Sequence, residues 1–159
     1  MNKKTAYLIA TFGGVGYAKK APGTCGSLAT LPFAVLLAYF LGTVGILLGM
    51  SVAWILGVLA TKEVLKETEH DPGMIVIDEV LGQLTAFLFV APVLHDSFHL
   101  WWYYPIGFAF FRLFDIAKIG PVKWADEKIT NAYGVMLDDL FAGLFAAVIL
   151  FLVHYMATR

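Results

Sequence analysis

The chain has 159 residues, room for one domain and hardly two. It is 60% hydrophobic and 14% charged, where a water-soluble domain is nearer half apolar and a quarter charged, so the composition points to a membrane protein. The formal net charge of -1 gives no basis for a nucleic-acid partner, and a single cysteine, Cys25, excludes an internal disulfide.

The N-terminus, "MNKKTAYLIATFGGVGYAKK", has a basic start, but its apolar run is short and broken by Gly13, Gly14 and Gly16; it does not read as a cleaved signal peptide. From Ala21 to Thr61 no residue is charged. That run is too long for one membrane helix of about 20 residues and long enough for two. "LGTVG", Leu41 to Gly45, supplies glycines for a tight turn, which predicts spans near 27–41 and 45–61. The polar stretch "TKEVLKETEHDPGM" reads as a solvated helix that breaks at Asp71-Pro72-Gly73. A third apolar run covers Val80 to Leu94. The link "HDSFH" follows, in which His95 and His99 read as loop residues rather than metal ligands. "LWWYYPIGFAFF" (100–111) opens with aromatic residues suited to a membrane interface, as the start of a fourth span. A polar loop leads to a fifth run, Leu140 to Met156. The expected fold is all-α: a bundle of about five membrane-embedded helices, forming one unit over 1–159.

With five spans the N-terminus, 62–79 and 112–139 share one face. These segments hold nearly all Lys and Arg, and the positive-inside rule assigns that face to the cytoplasm. Alternation thus gathers "APGTCGS", Asp78, Glu79, Arg112, Asp115, Lys118, Asp138 and Asp139 at one end. Each acid pair, in "IDEVLG" and "LDDLFA", is expected near the N-terminus of an apolar helix, where the dipole favours anions. Gly82 and Gly143, each four residues past an acid, would let the two helices approach closely. Carboxylates so gathered repel unless a hard cation joins them, and Mg²⁺ prefers carboxylate, water and phosphate oxygens. Asp115, bracketed by Arg112 and Lys118, adds an acid flanked by two phosphate-binding cations; equally, those cations could simply neutralise Asp115. The Gly-rich stretch with Thr24 and Ser27 could cradle a phosphate at a helix N-terminus, or merely turn and cap.

"GYAKKAPGTCGSLATLP", "IVIDEVLGQ", "FRLFDIAK" and "GVMLDDLFAG", in that order, resemble the phosphatidylglycerophosphatase A family of bacterial Mg²⁺-dependent membrane phosphatases. The resemblance runs from about Gly13 to Gly143. It departs after Lys118, where "KIGPV" delays a proline, and at Cys25-Gly26. It implies hydrolysis of the phosphomonoester of phosphatidylglycerophosphate, an anionic phospholipid, at the cytoplasmic face of a bacterial inner membrane. It implies Asp78, Glu79, Asp115, Asp138 and Asp139 as catalytic acids. Asp78, Glu79, Asp138 and Asp139 would hold Mg²⁺, and Thr24, Ser27, Arg112 and Lys118 would bind substrate. Two rivals are a CDP-alcohol phosphatidyltransferase, whose Asp-Gly and Ala-Arg signature "LDDLFAG" lacks, and a transporter using the acids as a cation path. The oligomeric state is left open.

Overall fold

A computed structural model describes residues 1–68 and 72–159; the end of the expected solvated helix, Glu69 to Asp71, lies outside them. The described residues contain helices and no strand: α1 Lys3–Ala10, α2 Pro22–Val64, α3 Ile77–Thr85, α4 Ala91–Leu94, α5 Tyr103–Ala117, α6 Pro121–Lys128 and α7 Ala132–Ala157.

The 43 residues of α2 are not one rod. Gly42 sits at φ 55, ψ -136, outside helical space. A Cβ on Gly49 would lie 2.8 Å from Leu37 Cδ1, although twelve residues along a straight helix would separate the two by about 18 Å. The chain therefore folds back at Gly42, and α2 is a helical hairpin. Its limbs match the spans expected at 27–41 and 45–61.

α3 is the centre of the fold. It packs against α2, α5 and α7, and every residue from Ile77 to Thr85 except Glu79 is buried. α3 and α7 cross where both are small: a Cβ on Gly143 would collide with the Gly82 carbonyl oxygen, and one on Gly82 would lie 2.7 Å from the Asp139 carbonyl oxygen. Along α7 the buried residues Ala142, Gly143, Ala146, Ala147 and Leu150 form the inward stripe.

The chain runs between two ends of the bundle as the alternation predicts. At one end His95 packs on Gly42, its Cβ 3.4 Å from where a Gly42 Cβ would stand. The Asp96 N–H donates to the Tyr39 carbonyl (3.2 Å), and Tyr103 Oη lies 2.6 Å from His154 Nδ1. The acids collect at the other end. Five full membrane helices are not what these passes are made of. By length and composition α2 and α7 are long and apolar enough to cross a membrane. α3 has 9 residues and α5 has 15, or about 13 and 22 Å against a hydrocarbon core of about 30 Å. The third run, 80–94, breaks after α3 because Pro92 has no N–H to give and its ring excludes a continuous helix through residue 88. The fourth starts at Tyr103 rather than Leu100 and continues to Ala117.

Candidate active site

Four chain segments meet at the acid end. α2 begins at Pro22 after Ala21, which takes a left-handed conformation (φ 46). Its first turn leaves amides without helical partners facing this end. α3 begins with Ile77, so Asp78 and Glu79 occupy its first turn, as expected. α5 ends here, presenting Arg112 and Asp115 one turn apart, and Lys118 closes it in a left-handed conformation (φ 43). α7 differs from expectation. It starts at Ala132, capped by Asn131, whose side chain accepts from the Tyr133 N–H (2.8 Å). Asp138 and Asp139 therefore stand two turns inside the helix and are not caps.

A cavity of about 270 Å³ is lined by Ala21 to Thr24, Gly73, Ile75, Asp78, Glu79, Arg112, Asp115, Lys118, Asp138 and Asp139. All five expected acids line it, with Thr24, Arg112 and Lys118. Ser27 stands behind it, with Oγ 2.9 Å from Glu79 Oε2 and 3.0 Å from the Gly23 carbonyl oxygen. Arg112 Nη1 bonds both Glu79 Oε2 and Asp115 Oδ2, the latter at 2.7 Å. Gly23 lies so close that a Cβ there would displace the Glu79 carboxylate.

The two cations divide the acids between them. Lys118 does not neutralise Asp115. Its Nζ bonds Asp138 Oδ2 and Asp126 Oδ1, each at 2.7 Å. Burial works to lower the Lys118 pKa, but these two carboxylates override it and hold the ammonium above its usual range. Asp126 is the residue that sequence reasoning missed. The signal was available in "PVKWADEK": Asp126 follows Val122 by four residues, on the helix face where Val122 is buried.

Glu79, Asp115 and Asp139 each offer an oxygen within 4.8 Å of the others, an arrangement that could hold a metal ion. The triad takes one acid from each pair and adds Asp115. Asp78 lines the same cavity, its Oδ1 accepting the Glu79 N–H at 3.0 Å. Two like charges at about 4.8 Å repel by about 3–4 kcal/mol at an effective dielectric of 20. Arg112 pairs directly with two of the three, Glu79 and Asp115. Asp139 is 3% exposed, and its Oδ2 has no hydrogen-bond partner among the described residues. A buried orphan carboxylate oxygen facing two further carboxylates is the donor set of a hard divalent cation.

The family model for phosphatidylglycerophosphatase A matches residues 8–154. The chain belongs to the phosphatidylglycerophosphatase A family. Phosphatidylglycerophosphatase A of Haemophilus influenzae is 36% identical over 150 residues, covering 94% of this chain and 88% of that protein. Its Escherichia coli namesake is 32% identical over 153 residues, covering 94% and 83%. A Bacteroides thetaiotaomicron protein, provisionally named a phosphatidylinositol-3-phosphatase, is 33% identical over 149 residues, covering 90% and 89%. No solved structure matches the chain. The phosphatidylglycerophosphatase A match spans every segment that contributes to the acid cavity.

Proposed function

We propose that this chain removes the terminal phosphate from phosphatidylglycerophosphate, giving phosphatidylglycerol and inorganic phosphate. The observation that carries the reading is the acid cavity, in which three carboxylates of a cation site stand beside Arg112 and Lys118, in a chain of a family named for this activity.

Mg²⁺ is the cation we assign, held by Glu79, Asp115 and Asp139 and completed by Asp78 or Asp138; when bound it would polarise the phosphoryl oxygens and acidify a water. The protein's own groups do the rest. The first-turn amides of α2 at Gly23 and Thr24 bring partial positive charge toward the incoming phosphate. Arg112 and Lys118 balance charge on the equatorial oxygens, the main demand of phosphoryl transfer. Both are already engaged by acids, so their orientation is set before substrate arrives. A water oxygen adds to phosphorus as the ester bond to the glycerol oxygen breaks. The water's proton passes to a cavity carboxylate and from it to the glycerol oxygen, which leaves as an alcohol.

The setting we propose is the bacterial inner membrane, with the acid end at the cytoplasmic face. Leu36, Phe40, Val44, Leu48, Val52 and Ile55 on the hairpin are exposed, an apolar surface that suits lipid and not water. A head group held at that end stays wet while its chains remain in the bilayer. The acids cluster at one end rather than through the depth, which disfavours a cation path.

The test is phosphate release by purified protein from phosphatidylglycerophosphate and from phosphatidylinositol 3-phosphate, each in mixed micelles. The reading expects turnover of the first at least a hundredfold faster. Preference for the inositol lipid would move the chain to the activity for which its Bacteroides relative is named; turnover of neither would end the reading.

A further inference from the structure

A second cavity, of about 480 Å³, lies on the other side of α3. α1 and the turn after it form one wall, the hairpin, through Phe33, Leu48 and Val52, a second, and Ile77, Val80 and Leu84 of α3 the third. Among the described residues no charged or hydrogen-bonding side chain lines it. Phe33, Leu48 and Val52 are each more than half exposed, so the groove opens outward.

Its relation to the acid cavity sets it apart from an ordinary crevice between helices. The segment 73–84 is the partition between the two. Gly73, Ile75, Asp78 and Glu79 face the acids, while Ile77, Val80 and Leu84 face the groove. Ile77 immediately precedes Asp78, so the groove begins at the level of the acids. From there Val80 and Leu84 carry it two turns, about 10 Å, toward the opposite end. The partition is pinned in place: the Val76 N–H donates to the Ala10 carbonyl at 2.8 Å, and a Cβ on Gly16 would strike the Met74 carbonyl oxygen. α1 is the groove's outer wall, and at the surface its Lys3 pairs with Glu67 at 2.6 Å.

We infer that this groove holds an acyl chain of the lipid whose phosphate enters the acid cavity. The inference rests on the proposed lipid phosphatase reading and adds where the lipid's apolar half binds. Ile77 lines the groove and Asp78 the acid cavity, and both lie in the first turn of α3. A lipid lying over that end of α3 places its head among the acids and a chain along the groove. Such a groove makes the enzyme read chain length, because a chain long enough to fill the slot makes packing contacts with its side chains that a short chain cannot make.

The experiment compares dihexanoyl and dioleoyl phosphatidylglycerophosphate at equal surface concentration in the same detergent micelles. Three proteins are used: wild type, Val52→Trp and Ser51→Trp. Val52 is on the groove's exposed rim, so a tryptophan fills the groove without entering the core. Ser51 is exposed on the neighbouring face, in a recess lined by Leu47, Trp54, Leu81 and Leu140. Val52→Trp is expected to raise KM for the dioleoyl lipid at least tenfold while leaving the dihexanoyl lipid within twofold of wild type. Ser51→Trp should behave as wild type on both. A dioleoyl lipid carrying a diazirine near one chain terminus should crosslink to α1 and to 48–56 in the wild type. Unchanged chain-length dependence in Val52→Trp, or crosslinks confined to other surfaces, overturns the groove assignment and leaves the phosphatase reading standing. A wild type inert toward both lipids overturns the reading itself.

Discussion

Gly82 and Gly143 meet where α3 crosses α7: the space a Gly143 Cβ would need is filled by the Gly82 carbonyl oxygen. This contact brings the two acid pairs to one cavity, because Glu79 lies three residues before Gly82 and Asp139 four before Gly143. Helix backbones that touch hold their side chains in fixed register.

Gly143→Ala should therefore act on both stability and activity. Its Cβ meets backbone oxygen and, at 2.8 Å, Thr85 Cβ, neither of which can rotate away, so the helices must part. Overpacking of this kind costs about 1–3 kcal/mol. Thermal unfolding in detergent should fall accordingly, and phosphate release should drop at least tenfold as Asp139 draws away from Glu79. Wild-type values in both would show that the crossing does not set the site.

Arg112 joins Glu79 to Asp115, and its side chain is largely buried. Arg112→Ala leaves two close carboxylates without their counter-charge, and breaking a buried pair this way costs about 3–5 kcal/mol. Arg112→Lys keeps the charge and loses the planar fork, so it should recover stability more than turnover. Equal recovery of both would reduce Arg112 to a neutralising charge.

Lys118 supplies a pH test. Its pKa is raised by Asp126 and Asp138 above the ordinary lysine value. A group raised on folding contributes stability that is fully present below its unfolded pKa and is lost as pH climbs through the folded one. The difference in melting temperature between wild type and Lys118→Met should thus be flat from about pH 8 to 9 and, on the alkaline side, shrink only above about pH 10.4. A difference that already fades between about pH 8 and 9 would mean the lysine is not held by these acids.

At the other end of the molecule, Gly42→Ala tests the hairpin. The Gly42 conformation, φ 55 and ψ -136, is one that only glycine adopts without strain, and strain of this class costs about 1–3 kcal/mol. His95 fills the space beside it. The variant should unfold at a lower temperature while keeping its catalytic preference between lipids.

Much of this arrangement is legible in the residues. Apolar run lengths and the glycines of 41–45 gave the hairpin, because a turn between helices needs a conformation other residues resist. Alternation of charged segments gave the end at which the acids gather. It could not give rotation about each helix axis. Hence residue order alone names Asp78, Glu79, Asp138 and Asp139 for the metal, where the oxygens that come within 4.8 Å of one another are those of Glu79, Asp115 and Asp139; it sets Lys118 beside Asp115 rather than Asp126 and Asp138, and puts Asp138 and Asp139 nearer their helix start than they are. Those partners depend on which side of α5 and α7 faces inward, which Gly107 against Phe87 and Gly143 against Gly82 decide by contact. The break after Thr85 was marked by Pro92, but hydrophobicity continuing through Phe87 and Val90 masked it. Both side chains are buried in the non-helical turn, so they serve the core without belonging to a span.

The central claim is that Glu79, Asp115 and Asp139 jointly hold a divalent cation that phosphate release requires. The measurement is a Mg²⁺ titration of phosphate release from phosphatidylglycerophosphate, starting in chelator, for the wild type and Asp139→Asn. Asparagine preserves the shape and removes the charge, and with it one repulsion among the acids. The variant should therefore be at least as heat-stable as wild type in chelator. The account predicts a wild type silent in chelator and restored by Mg²⁺, and a variant needing far more Mg²⁺ for a small fraction of that rate. A wild type that turns over in chelator, or an Asp139→Asn titration that overlays the wild type, would contradict it.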